Sequence, residues 1–221
     1  MQKIIAFLDP PYGVDVVNND GKIGRAVLVK QGVYKKVKGD ETTETAEVVY
    51  GLLNKMGIDR MIIWGGNYFT KFLPASPCWI IWDKKGEMES NNFADCEIAW
   101  TTFNTPSRII KCIWRGMIKE GEHDKRSHPT QKPIKLLVEM LEKFTNPDDI
   151  VLDLFGGSGS LLVACEKAKR TCYMQESEAQ YIDVIIKRYH KLYPDKPIEC
   201  LTNKNFNFNK LYEEQNGEAK I

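Results

Sequence analysis

The sequence predicts an α/β domain with a doubly wound, mainly parallel sheet and one antiparallel hairpin. Three observations carry this. Short apolar runs such as Lys3-Ile4-Ile5-Ala6-Phe7-Leu8 and Ile150-Val151-Leu152-Asp153-Leu154 read as strands buried on both faces. Helical apolar stripes alternate with them, one at positions 49, 52, 53 and 56 and another at 134, 137, 138, 141 and 144. Apolar residues make up 43% of the 221, enough for one sizeable core, so the whole chain, 1–221, is read as a single domain.

The first strand ends abruptly at Asp9-Pro10-Pro11-Tyr12-Gly13. Two prolines cannot continue a central strand, and they stiffen the backbone that presents Asp9 and Tyr12. The carboxyl ends of strands are where open α/β sheets bind ligands. Residues 14–45 lack a helical period and read as a basic loop. An amphipathic helix over 46–56 is closed by Gly57. Arg60-Met61-Ile62-Ile63-Trp64 and Cys78-Trp79-Ile80-Ile81-Trp82 are the next strands. Residues 97–103 and 108–114 are expected to pair antiparallel around the turn Asn104-Thr105-Pro106-Ser107. Residues 115–127 are charged and without period, and Pro133 suits a helix start.

The strand at 150–154 leads into Phe155-Gly156-Gly157-Ser158-Gly159-Ser160, and a helical pattern follows at once. Glycines let a backbone close on a ligand, and the freed amides with the helix dipole favour an anionic group. An acid about 20 residues on suits ribose hydroxyls. Glu176 stands there, with Glu178 as its rival. A nicotinamide dinucleotide fits less well, because the third glycine of G-x-G-x-x-G would fall on Leu162. A helix through Ile182, Ile185, Ile186 and Tyr189 stops near Pro194, residues 198–201 read as a last short strand, and the polar tail from about 203 reads as frayed.

Net charge is only +1, yet residues 22–38 hold six Lys/Arg and no acid, and a second basic stretch runs from Arg108 to Lys132. Such clustering next to a ligand-binding strand end suits nucleic-acid phosphates. The six cysteines are scattered, with no C-x-x-C and no zinc spacing, so the reading is a reduced, cytoplasmic protein with no metal. The apolar opening is too short for a leader before Asp9-Pro10-Pro11, and no run approaches membrane-spanning length.

Asp9-Pro10-Pro11-Tyr12 resembles the catalytic signature of the S-adenosylmethionine-dependent DNA amino-methyltransferases. Phe155 to Gly159 resembles their cofactor loop, and His128-Pro129-Thr130-Gln131-Lys132-Pro133 a third block that precedes it. The order of the three resembles the beta class. Trp64-Gly65-Gly66-Asn67-Tyr68-Phe69 and Ala94-Asp95-Cys96-Glu97-Ile98-Ala99-Trp100 are most similar to phage-encoded adenine methyltransferases. The resemblance spans residue 3 to about 189. It implies a class I methyltransferase fold, S-adenosylmethionine as cofactor, DNA as partner, and methylation of adenine N6 on a base turned out of the duplex. N4 of cytosine, an RNA adenine, and a non-catalytic nucleic-acid-binding relative are the alternatives.

Within that resemblance the catalytic residues are Asp9, Pro10, Pro11 and Tyr12. The cofactor residues are Lys132, at the methionine end, with Asp153, Phe155, Gly156, Gly157, Ser158, Gly159 and Glu176. Asp153 fits either of two roles, orienting the glycine loop or touching the ligand amine. The DNA contacts are Lys30, Lys35, Lys36, Lys38, Arg108, Lys111, Arg115 and Arg126, in recognition segments near 14–45 and 104–127. Larger family members resemble this core plus a longer recognition region. The target is therefore short, or the 14–45 loop contributes, or a second subunit does, as in a homodimer. Pro77-Cys78 has the order of a cytosine carbon-5 nucleophile, but it opens an apolar strand and reads as a buried cysteine.

Overall fold

In order along the chain, the computed structural model has β1 (Ile4–Leu8), α1 (Glu44–Lys55), β2 (Met61–Trp64), β3 (Trp79–Asp83), β4 (Cys96–Thr101), β5 (Arg108–Lys111), β6 (Trp114–Arg115), β7 (Ile118–Lys119), α2 (Ile134–Phe144), β8 (Ile150–Asp153), α3 (Ser160–Ala168), β9 (Thr171–Met174) and α4 (Ala179–Leu192). It describes residues 2–17, 36–90, 94–115, 118–119, 131–204, 206–208, 210 and 212, with the backbone alone at 115, 118 and 119.

Seven strands form one sheet in the order β5-β3-β4-β2-β1-β8-β9. Every neighbouring pair is parallel except the two made by β4, which runs against both β2 and β3. The predicted doubly wound, mainly parallel architecture is therefore present. The period-2 alternation of the strands splits the core in two. Phe7, Ile62, Trp64, Ile80 and Trp82 face α2 and α3, while Ala6, Leu8, Met61, Ile63 and Trp100 face α1 and the segment around Phe69 and Leu73. Among the described residues no helix is long and apolar enough to cross a membrane.

One strand pairing differs from expectation. β4 and β5 are not partners: β4 is inserted between β2 and β3, and β5 lies parallel on the far side of β3. Ser107 explains the choice. Its Oγ accepts the Trp79 N–H at 3.0 Å and donates to the Pro77 carbonyl, which pins the start of β5 to the start of β3. The antiparallel hairpin joins β3 to β4 instead, through residues 84–95. Beyond β5, Trp114–Arg115 and Ile118–Lys119 form a separate two-residue ribbon. No strand forms at 198–201, where Leu201 is exposed. The tail is not wholly frayed either, since Phe208 is buried against His190 and Tyr212.

Asp149 locks the amino ends of the central strands. Its buried carboxylate accepts the Lys3 and Asn146 N–H groups and meets Arg60 Nη1 at 3.4 Å. Burial pushes this carboxyl up, but those donors and the Arg60 charge outweigh it and hold it below the usual range. Asp149→Ala would strand three donors, so we expect a loss of roughly 2–3 kcal/mol, read as a lower urea midpoint at unchanged m-value.

Candidate active site

The site lies on the sheet edge where β1, β2, β3, β8 and β9 end. Because β4 runs the other way, its amino end reaches the same edge, and Glu97 arrives there among carboxyl termini. Asp9 follows β1 directly. Its Oδ1 accepts the Tyr12 hydroxyl at 2.7 Å, and its Oδ2 receives the Lys132 ammonium at 2.7 Å. The carboxylate keeps a quarter of its surface, 25%, open to solvent, whereas the Lys132 side chain keeps 6%. The family resemblance puts Lys132 at the methionine end of a cofactor. In the structure it bridges Asp9 and Glu97, with Glu97 Oε2 at 3.3 Å and the Tyr12 hydroxyl also at 3.3 Å.

Electrostatics follow from this packing. Burial lowers the proton affinity of Lys132, but Asp9 and Glu97 outweigh it and raise it above the ordinary lysine value. Burial pushes Glu97 up, yet Lys132 and Lys84 prevail and hold its carboxyl down. The Tyr12 phenol is driven well above its usual range by burial and by the Asp9 and Glu97 charges, so it remains a donor.

Tyr12 is held on several sides. Its ring stacks on Tyr68 at 5.3 Å between centroids and meets Phe69 edge-on. Gly65 makes room for it: φ is +71° there, and a Cβ would lie 2.4 Å from the Tyr12 ring. The backbone is fixed by Asp40, which sequence reasoning missed. Its buried carboxylate accepts the N–H groups of Tyr12, Gly13 and Val16 at 2.7–3.1 Å. A lone acid 28 residues away carries no local signal.

The glycine loop lies beside this constellation, since β8 is the parallel neighbour of β1. Asp153 Oδ1 accepts the Phe155 N–H at 2.9 Å, a bond that orients the start of the loop. Glu176, and not Glu178, carries its carboxylate to the loop: Oε2 accepts Gly157 N–H at 2.7 Å and Oε1 accepts Glu178 N–H at 2.8 Å. Gly157 has φ of +52°, a conformation a branched side chain would strain. Arg188, also missed, reaches from α4 to the Ser158 carbonyl and the Ser158 and Ser160 hydroxyls.

The basic residues divide. Lys30, Lys35 and Arg126 lie outside the described residues, as do His128 to Thr130, and Arg115 is described by backbone alone. Lys36 is exposed and pairs with Asp15, and Lys38 is exposed two residues before Asp40. Lys111 ends β5 on the site's edge, whereas Arg108 begins it on the opposite edge. Cys78 is fully buried, as a structural cysteine would be.

With this geometry in place, comparison with known proteins defines the class. The family profile for DNA methylases of the N6/N4 type matches residues 5–188, and the chain belongs to that family. Among individual relatives, the Type II methyltransferase M2.MboI of Moraxella bovis is 30% identical over 134 residues, 58% of this chain and 46% of that protein. The Type II methyltransferase M.HinfI of Haemophilus influenzae is 36% identical over 92 residues, 41% of this chain and 25% of that protein. The chain thus spans less than half the length of these curated relatives. The solved M1.HpyAVI–SAM complex is 25% identical, with 85% of this chain and 90% of that one covered and a TM-score of 0.49.

Asp153 also makes a pH prediction. Burial, offset in part by the Phe155 N–H and reinforced by Asp9 and Glu176, raises its carboxyl from 3.8 to about 7. The folded protein therefore binds a proton that the unfolded chain has released, and ligand-free stability falls as pH rises through that window. Asp153→Asn keeps an acceptor for Phe155 and removes the titration. Its urea midpoint should gain on wild type steadily between about pH 4 and about pH 8; a pH-independent offset would contradict the assignment.

Proposed function

We propose that this domain transfers a methyl group from S-adenosylmethionine to the N6 amine of adenine in DNA. The observation that carries the proposal is the partly open Asp9 carboxylate, oriented by Tyr12 and Lys132, beside a glycine loop whose amide is held by Glu176. The residues present fit the cofactor: Glu176 offers acceptors to ribose hydroxyls, Gly157 opens the backbone, and Asp153 and Phe155 shape the loop. When bound, the cofactor supplies an electrophilic methyl on a sulfonium.

The chain's own contribution is positioning and charge. An exocyclic amine is a weak nucleophile because its lone pair is delocalised into the ring. Asp9 accepts one N–H and the Pro10 carbonyl the other, which favours a pyramidal nitrogen aimed at the methyl. Both bonds strengthen as positive charge grows on that nitrogen. Pro10 and Pro11 fix the turn that presents these acceptors. A base turned out of the duplex joins or displaces the Tyr12–Tyr68 stack. Asp at the first position of the catalytic block supports adenine over cytosine by family resemblance. Lys36 and Lys38, close in sequence to the Asp40 that holds Tyr12, suit phosphate contacts, as does Lys111 on the same sheet edge at the outermost strand, and the basic segment near 14–45 or a second subunit supplies further recognition.

Two experiments test this. Nucleoside mass spectrometry of duplex DNA incubated with enzyme and labelled cofactor should show N6-methyladenine, lost in Asp9→Ala while cofactor binding persists; N4-methylcytosine alone would overturn the base assignment. DNA affinity should fall with log salt, and Lys35, Lys36 and Lys38 changed together to Ala should flatten that slope by about 1 for each phosphate no longer neutralised.

A further inference from the structure

Lys132 does not serve Asp9 alone. The strand order β4-β2-β1 puts the backbones of Glu97 and Asp9 on either side of β2, with their side chains converging on Lys132. The Lys132 ammonium lies between them above the last residue of β2, with Nζ 5.1 Å from the Trp64 ring centroid and 5.8 Å from that of Tyr12. Glu97 is anchored from its other oxygen by Lys84, at 2.8 Å, and Lys84 itself rests over the Trp82 ring. Two carboxylates and two ammonium groups thus alternate in a line, Asp9, Lys132, Glu97, Lys84, with no net charge.

This line creates a competition. Both Asp9 oxygens already accept a bond, Oδ1 from Tyr12 and Oδ2 from Lys132. Each oxygen keeps a second acceptor position, so an incoming amine can bind there, but it must share the Asp9 charge with the lysine. A lysine charge 2.7 Å from Asp9 also opposes the positive charge that grows on the attacking nitrogen. Glu97, with Oε2 now 3.3 Å from Nζ, has room to close on the ammonium as Asp9 is claimed.

We infer that Glu97 is a positioning residue for methyl transfer: it holds and neutralises Lys132, so that Asp9 can turn from the lysine to the substrate amine. The inference rests on the activity proposed above. Without the Glu97 charge, Lys132 would be committed to Asp9 and the line would carry one excess positive charge.

The test is a double-mutant cycle on single-turnover methyl transfer to duplex DNA, with wild type, Glu97→Gln, Lys132→Met and the double variant. Glu97→Gln should slow the methyl-transfer step by up to roughly 10²-fold, the scale of a misplaced catalytic group, while the cofactor dissociation constant from calorimetry stays within about twofold. Once Lys132 is gone, Glu97 has no ammonium to draw away from Asp9, so the double variant should be no slower than Lys132→Met. Multiplying losses, or an unimpaired Glu97→Gln, would overturn the inference. Glu97→Asp covers the case in which Lys132→Met does not fold. It keeps the charge at shorter reach and should recover part of the Glu97→Gln loss; a rate no better than Glu97→Gln would count against the role. A wild-type enzyme that labels no DNA would remove the proposed activity and this inference with it, whereas an active wild type with an additive cycle removes the inference alone.

Discussion

A buried ammonium group is tolerated only where opposite charges stand ready for it, and Lys132 is placed under that constraint. Removing one partner from a buried ion pair typically costs about 3–5 kcal/mol, because the remaining charge has neither water nor counter-ion. Here the counter-ions come from two strands that are not adjacent, and the ammonium from the segment just before α2. The geometry of Asp9 therefore depends on how α2 docks. Leu136, Leu137, Met140 and Leu141 are buried in the same core cluster as Trp64 and Trp82, over whose rings the two lysines lie. Hydrophobic packing on one face of the sheet sets the position of a charge at its edge.

The reversed direction of β4 is the second requirement. In an all-parallel sheet every strand would deliver its amino end to the edge away from the ligand. One antiparallel strand brings the opposite polarity of chain to the active edge, and with it an acid that precedes the strand's buried half. The same reversal lets the turn after β3 supply Lys84 to Glu97 through the hairpin, at Trp82↔Glu97 and Asp83↔Cys96. Thus the feature that departs from a purely parallel fold is also the one that completes the charge line.

Much of this was legible from residues alone, for identifiable reasons. β1 and β8 announce themselves because strands buried on both faces must be apolar throughout, and both end in turn chemistry, Pro10-Pro11 and Gly156-Gly157. The order of the three blocks pointed to the class of protein. Lateral pairing was not legible, since it depends on groups far apart along the chain. Ser107 binding at Trp79 is a 28-residue relation, and nothing near Asn104 to Ser107 distinguishes a hairpin turn from a crossover. Asp40 escaped for the same reason. Glu97 did leave a trace, an acid inside the apolar run Cys96 to Trp100, but its purpose depends on Lys132, 35 positions on.

The glycine loop shows how a site can be ordered before its ligand arrives. Each oxygen of Glu176 is engaged by one backbone N–H, from Gly157 and from Glu178, and a carboxylate oxygen has a second acceptor position. A ribose hydroxyl of the proposed cofactor could therefore donate to Glu176 without breaking the bonds that orient it, which would leave little ordering cost for binding. Asp153 complements this from the strand side, since its bond to the Phe155 N–H fixes where the loop begins. The two carboxyls hold opposite ends of one short turn, and burial raises the proton affinity of Asp153, so the loop need not hold two facing negative charges. The loop and the Asp9 line are thereby held side by side on adjacent strands, the arrangement that the proposed methyl transfer between two bound partners requires of its scaffold.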